Sequence, residues 1–145
     1  MAMGRRENER QRPLWIAGTD LPTGPGHPFY KRLNKVLSRH EFDRFVEDLC
    51  QGFYARKMGR PSIPPGVYFR MLMVCYSEGL DSERGTAWRC ADSLSLKGFL
   101  GYAVQDATPD HSTISRTRRL ISLEAHQEVF AWILGILADQ DLLEG

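Results

Sequence analysis

Apolar residues in this chain return every three to four positions in one segment after another, and no segment shows sustained alternation bounded by hairpin signals. That period matches the helical turn and not the pleated strand, so it predicts an all-α fold of six or seven helices. Phe42, Phe45, Val46, Leu49 and Phe53 form one such stripe, and Ser38 with Glu41 has the S-x-x-E spacing of a capping box. Together they predict a helix over 38–54, preceded by a shorter helical turn at 29–37. Pro64 and Pro65 suit the start of a buried helix carrying Val67, Met71, Leu72, Val74 and Cys75 and ending near Gly79. Asp81 or Ser82 then caps a helix with Ala87, Trp88 and Ala91 facing inward. Asp92 or Ser93 opens a short one with Leu96, Phe99 and Leu100 inside and Gly101 as its stop. Residues 102–109 read as loop, Asp110 caps a helix at 111–121, and Ser122 opens a last long helix striped by Val129, Phe130, Ile133, Ile136 and Leu137.

A length of 145 residues suits a single domain. The chain divides into a basic tail and Pro/Gly loop over 1–26, expected to be flexible, and a compact helical domain over 27–145. Charges interrupt every apolar stretch, and the Arg-rich start has no apolar run behind it. Neither a membrane span nor a secretory signal is expected, and a cytoplasmic location follows. Cys50, Cys75 and Cys90 lack C-x-x-C spacing and sit in apolar patterns, as buried thiols of a reducing compartment do.

The net charge of +1 conceals an asymmetry. All 19 Lys and Arg lie in residues 1–122, against 13 acids, whereas 123–145 hold five acids and no Lys or Arg. Fifteen of the cations are Arg, the side chain better shaped for bidentate contact with phosphate or guanine. A polyanionic partner for the front of the chain is therefore permitted, although a solvated Arg-rich surface has the same composition.

The segment Pro109-Asp110-His111-Ser112-Thr113-Ile114-Ser115-Arg116-Thr117-Arg118-Arg119-Leu120-Ile121 carries the clearest chemistry. On a helix Ser112, Ser115, Arg116 and Arg119 share one narrow stripe, with Ile114, Thr117 and Ile121 behind it. Hydroxyls and the helix amino terminus can bind phosphate, and Arg can reach a guanine edge, so the pattern fits a recognition helix. A solvated amphipathic helix whose arginines neutralise its carboxyl end fits it too. A helix-turn-helix-like portion is expected here, but residues 101–110 exceed the usual turn. The pairing could instead join helix 82–91 to helix 93–100, with 111–121 as a third element. His27, His40, His111 and His126 are scattered without ligand spacing, so no metal or other cofactor is expected. No base-and-nucleophile signature marks a catalytic residue.

Three segments taken together resemble the amino-terminal domain of DDE insertion-sequence transposases. They are Gly59-Arg60-Pro61-Ser62-Ile63-Pro64-Pro65; Asp81-Ser82-Glu83-Arg84 with the stretch from Arg89-Cys90-Ala91-Asp92-Ser93 to Gly101; and Pro109-Asp110-His111-Ser112-Thr113-Ile114-Ser115-Arg116. Their order and spacing extend the likeness over about 27–143. The resemblance implies a helical domain that binds terminal inverted repeats of double-stranded DNA and assists assembly with other transposase protomers. In such proteins a ribonuclease-H-like domain follows, with three acids holding two divalent metals. The chain stops at Glu144-Gly145, about where its first strand should begin, and no position matches those acids, so no enzyme activity is expected. The DNA contacts expected are Ser112, Thr113, Ser115, Arg116 and Arg119, with backbone charge from Arg56, Lys57 and Arg60. The alternative is a helical interaction module, or a remnant, without DNA binding of its own.

Overall fold

A computed structural model describes residues 2–3, 28–54 and 62–139. The basic connector with Arg56, Lys57 and Arg60, and the tail apart from residues 2–3, lie outside the described residues. Among the described residues the protein is all-α. The helices are α1 (Pro28–Arg39), α2 (Phe42–Cys50), α3 (Pro65–Ser77), α4 (Glu83–Ala91), α5 (Leu94–Leu100), α6 (His111–Leu120) and α7 (Leu123–Asp139), and a 3-10 turn follows α2 at Gln51–Phe53. No single helix among them is long and apolar enough to cross a membrane.

The centre of the molecule is α3. Its sequence PGVYFRMLMVCYS is apolar nearly all round, as a helix enclosed by others must be. Tyr68, Phe69, Met71 and Val74 are fully buried. Against it pack α2, α4 and α5, while α1 lies on α2 and α5. At the outer end of α2, Phe45 stacks on Trp132 of α7, with ring centroids 4.6 Å apart. The native thiols belong to this interior: Cys50 and Cys90 are buried, and Cys75 is half-buried with its Sγ donating to the Leu80 carbonyl.

One charge is also inside. Arg70 on α3 is 6 % exposed, and donates to both carboxylate oxygens of Asp43 on α2 at 2.7 and 3.0 Å. Its remaining donors reach Asn34 Oδ1 of α1 at 3.3 Å and the Gly66 carbonyl at 3.2 Å. Its flat face lies over the Phe42 and Phe99 rings. A buried guanidinium is tolerated when its donors are matched, and this one ties α1, α2, α3 and α5 together. The approach of Asp43 to Gly66 leaves no space for a β-carbon there.

Helix ends follow the expected chemistry in α4 to α7. Ser82, Ser93 and Asp110 each accept from the backbone N–H three residues on, and so does Ser122 from Ala125. Gly101 stops α5 at φ 89°, where a side chain would be strained. The region 29–54 departs from expectation. Residues 28–39 form a full helix, with Tyr30, Leu33, Val36 and Leu37 buried, and Ser38 lies inside its last turn. Glu41 takes the left-handed conformation at φ 54° before α2, with no side-chain cap. The capping box is thus absent, because the chain bends sharply at 40–41 to bring Phe42, Val46 and Cys50 onto the core. A second departure is Trp88, placed inward by periodicity yet 63 % exposed, with Ala91 also outside; Ala87 is buried as expected, and Thr86 and Cys90 complete the inner face.

Candidate nucleic-acid interface

Helix α6 is built as the sequence pattern suggests. Ile114, Thr117 and Ile121 are buried, and Ser112, Arg116 and Arg119 are exposed on the other side, with Ser115 half-buried at their border. The helix lies on α4. Two contacts define that edge: Arg118 Nη1 meets Glu83 Oε1 at 2.7 Å, and Arg84 Nη2 donates to His111 Nε2 at 3.3 Å. A guanidinium has no acceptor, so Nε2 accepts in the second contact and the ring proton belongs on Nδ1.

A hydrogen-bond chain holds α6 from behind. Arg118 also reaches the Tyr68 hydroxyl, which burial drives upward in pKa while Arg118 opposes the shift. The same hydroxyl lies 2.7 Å from His126 Nε2, and His126 Nδ1 lies 2.8 Å from the Ser122 carbonyl. Because that carbonyl can only accept, Nδ1 donates to it and Nε2 accepts from Tyr68. Glu83, Arg118, Tyr68 and His126 therefore bind α4, α6, α3 and α7 in one series, and the chain turns by 103° between α6 and α7. Arg118 is occupied by this series, which leaves Arg116 and Arg119 as the cations of α6 that make no ion pair among the described residues.

The start of α6 is capped by Asp110 as expected, and the cap involves Thr113, one of the expected contacts. Asp110 accepts from the Thr113 backbone N–H and from its hydroxyl, both at 2.9 Å, and these two bonds hold its carboxyl below the usual carboxylate range. Arg116 Nη2 in turn reaches Thr113 Oγ1 at 3.4 Å. Thr113 is thus part of the cap and not of the open stripe, and a carboxylate already sits where a phosphate would meet the helix amino terminus. Sequence periodicity places Ser112, Ser115, Arg116 and Arg119 together, and the structure does bring them together. Arg56, Lys57 and Arg60 lie outside the described residues.

Two neighbouring features have no bearing on that stripe. An open cleft of about 550 Å³ between α2 and α3 is lined by Glu47, Gln51, Tyr54, Ile63 and Pro64 among others, and no α6 residue borders it. Among the described residues no three His, Cys, Asp or Glu side chains are grouped to hold a metal ion. Helices α4 and α5 are joined through Asp92 and Ser93, whereas 101–110 separate α5 from α6. The close pair is therefore α4–α5, and α6 docks on α4 as a third element.

A small helical domain with an Arg- and Ser-bearing outer helix defines a class of compact modules, not one activity. Sequence comparison narrows it: the transposase domain family DUF772 matches residues 20–120, and the chain belongs to that family. Its role is accordingly transposase-related. No curated protein and no solved structure matches the chain.

Proposed function

We propose that this domain binds double-stranded DNA at the terminal inverted repeats of a mobile element, with α6 as the reading helix. The single observation that carries the reading is the exposed stripe of Ser112, Arg116 and Arg119, unopposed by any acid on α6, on a helix whose other side is locked into the fold. In it Arg116 and Arg119 meet phosphates or guanine edges, and Ser112 and Ser115 donate to the backbone. Arg56, Lys57 and Arg60 add backbone charge. In this reading the domain binds without cutting, and four of its acids, Asp43, Glu78, Glu83 and Asp110, serve the fold by engaging Arg70, Arg89, Arg118 and the α6 cap.

Gel shifts test this, with duplexes from the ends of the encoding element set against scrambled duplexes at stated salt. Preferential binding of the end sequences, lost with Arg116→Ala and Arg119→Ala, is the expected result; equal affinity of the wild type for both duplexes overturns repeat recognition. A second reading, pairing of α7 with another transposase protomer, is favoured by Leu123 and Leu134, which are 68 % and 53 % exposed on that helix. Sedimentation of Leu123→Ser and Leu134→Ser variants tests it, through loss of a wild-type dimer.

A further inference from the structure

Trp88 is the side chain whose position the fold explains least. It sits on α4 with 63 % of its surface in water, and among the described residues it meets no other ring. Tyr76, the other strongly exposed aromatic, at least sets its ring edge-on to Phe130 at 5.2 Å. One turn before Trp88 on the same outer face is Arg84, also exposed, which His111 holds at the rim of α6. On α6 the α4-facing positions 111, 115 and 118 adjoin the stripe of 112, 116 and 119 directly. The nearby acids are largely occupied: Glu83 by Arg118, Glu78 by Arg89, and Asp110 by the α6 cap. Asp81 and Asp92 stand beyond the two ends of α4 and bound the positive rim.

We infer that Arg84 and Trp88 form a second contact surface for the same DNA duplex, beside the stripe of α6. The inference rests on the DNA-binding reading of α6 and extends it to α4. Charge selects the partner, because Arg84, Arg116 and Arg119 are exposed and make no ion pair among the described residues, while the acids beside them, Glu83 and Asp110, are engaged by Arg118 and by the α6 cap. Chemistry assigns the parts: Arg84 donates to a backbone phosphate. The Trp88 ring covers an apolar deoxyribose face, and its indole N–H has a phosphate oxygen within reach. Neither contact reads a base, so the α4 face contributes affinity and orientation, while sequence preference belongs to α6.

The test uses the full chain, a mixed-sequence duplex and a series of salt concentrations, with circular dichroism as the folding check. Arg84→Ala should weaken binding and lower the slope of log affinity against log salt by about one. Trp88→Ala should weaken binding about five- to tenfold with the slope unchanged, and Trp88→Phe should retain most of the affinity. A duplex-induced change in tryptophan emission should be present in the wild type and missing in Trp88→Phe. If the wild type binds no duplex, the DNA reading of α6 falls and this inference with it. If Arg116→Ala and Arg119→Ala weaken binding while Arg84→Ala and Trp88→Ala match the wild type, only the α4 surface is overturned. A Trp88→Ala variant that changes sedimentation and leaves DNA affinity intact assigns the surface to a protein partner, and also overturns it.

Discussion

Arg70 and the Arg116–Arg119 pair are the same residue type in opposite circumstances. Where α1, α2 and α3 meet, Arg70 is buried, and Asp43, Asn34 and the Gly66 carbonyl take up its donors. On α6, Arg116 and Arg119 stand in water, with one long contact from Arg116 to Thr113 between them. The first arginine is part of the fold's framework, and the other two contribute little to it. An Arg count therefore says nothing about partners until each guanidinium is assigned to the interior, to an ion pair, or to open surface. Arg89 and Arg118 fall in the middle class, paired with Glu78 and Glu83.

That contrast can be broken at its buried end first. Arg70→Ala should destabilise the domain by about 2–3 kcal/mol, less than a sealed ion pair would lose because Asp43 stays half open to water. Urea unfolding measures it, and Arg70→Lys should recover only part, since an ammonium cannot take both carboxylate oxygens in one plane. Next is Gly66→Ala, a change that normally favours a helix. Here the new methyl meets Asp43, so the expected result is a loss of about 1–3 kcal/mol. Gly135→Ala on α7, where the methyl enters open space, should gain up to about 1 kcal/mol by the same measurement. If both glycine changes stabilise, the Arg70–Asp43 contact is looser than its geometry states.

At the exposed end, Arg116→Ala and Arg119→Ala should leave stability within about 0.5 kcal/mol while weakening DNA binding and its salt dependence. A large drop in melting temperature from either would erase the distinction between the two regions. The smallest effect concerns pH. The Asp110 carboxyl is held below its ordinary value by Thr113. Its contribution is thus fully present above the ordinary carboxylate range and is lost as pH falls through the lowered value. Stability in acid, compared between wild type and Asp110→Asn, should show a shallower decline in the variant.

Much of this fold was legible because its signals are local. A cap acts across three residues and a stripe across seven, so Asp110, Gly101 and the apolar side of α6 could be read directly, and the other two caps could be narrowed to Asp81 or Ser82 and Asp92 or Ser93, of which the serines cap. The misreadings share a different cause. Ser38 and Glu41 have capping-box spacing, but the packing of Leu33, Val36 and Leu37 carries α1 past Ser38, and tertiary burial outweighs a local cap. Trp88 is apolar enough to be assigned inward, and only the packing of α3, α5 and α6 on α4 shows which side of that helix is inner. The Arg70–Asp43 pair joins residues on different helices, with nothing in the intervening sequence to announce it. For the candidate site, periodicity was enough to group Ser112, Ser115, Arg116 and Arg119. It could not show that Thr113 closes the cap, that Arg118 is taken by Glu83 and Tyr68, or that Arg84 arrives from another helix.

The buried thiols have a practical consequence. Burial pushes both Cys50 and Cys90 upward, Cys90 to about 12, so almost none of either exists as the reactive thiolate at neutral pH. Cys75 is half-buried and turned toward the Leu80 carbonyl. Cys50 and Cys90 are therefore a quiet background for sulfhydryl chemistry. Ser112→Cys would put one fast-reacting handle on the open side of α6, ready for a spin label or a cross-linker, with half-buried Cys75 the natural thiol to replace first.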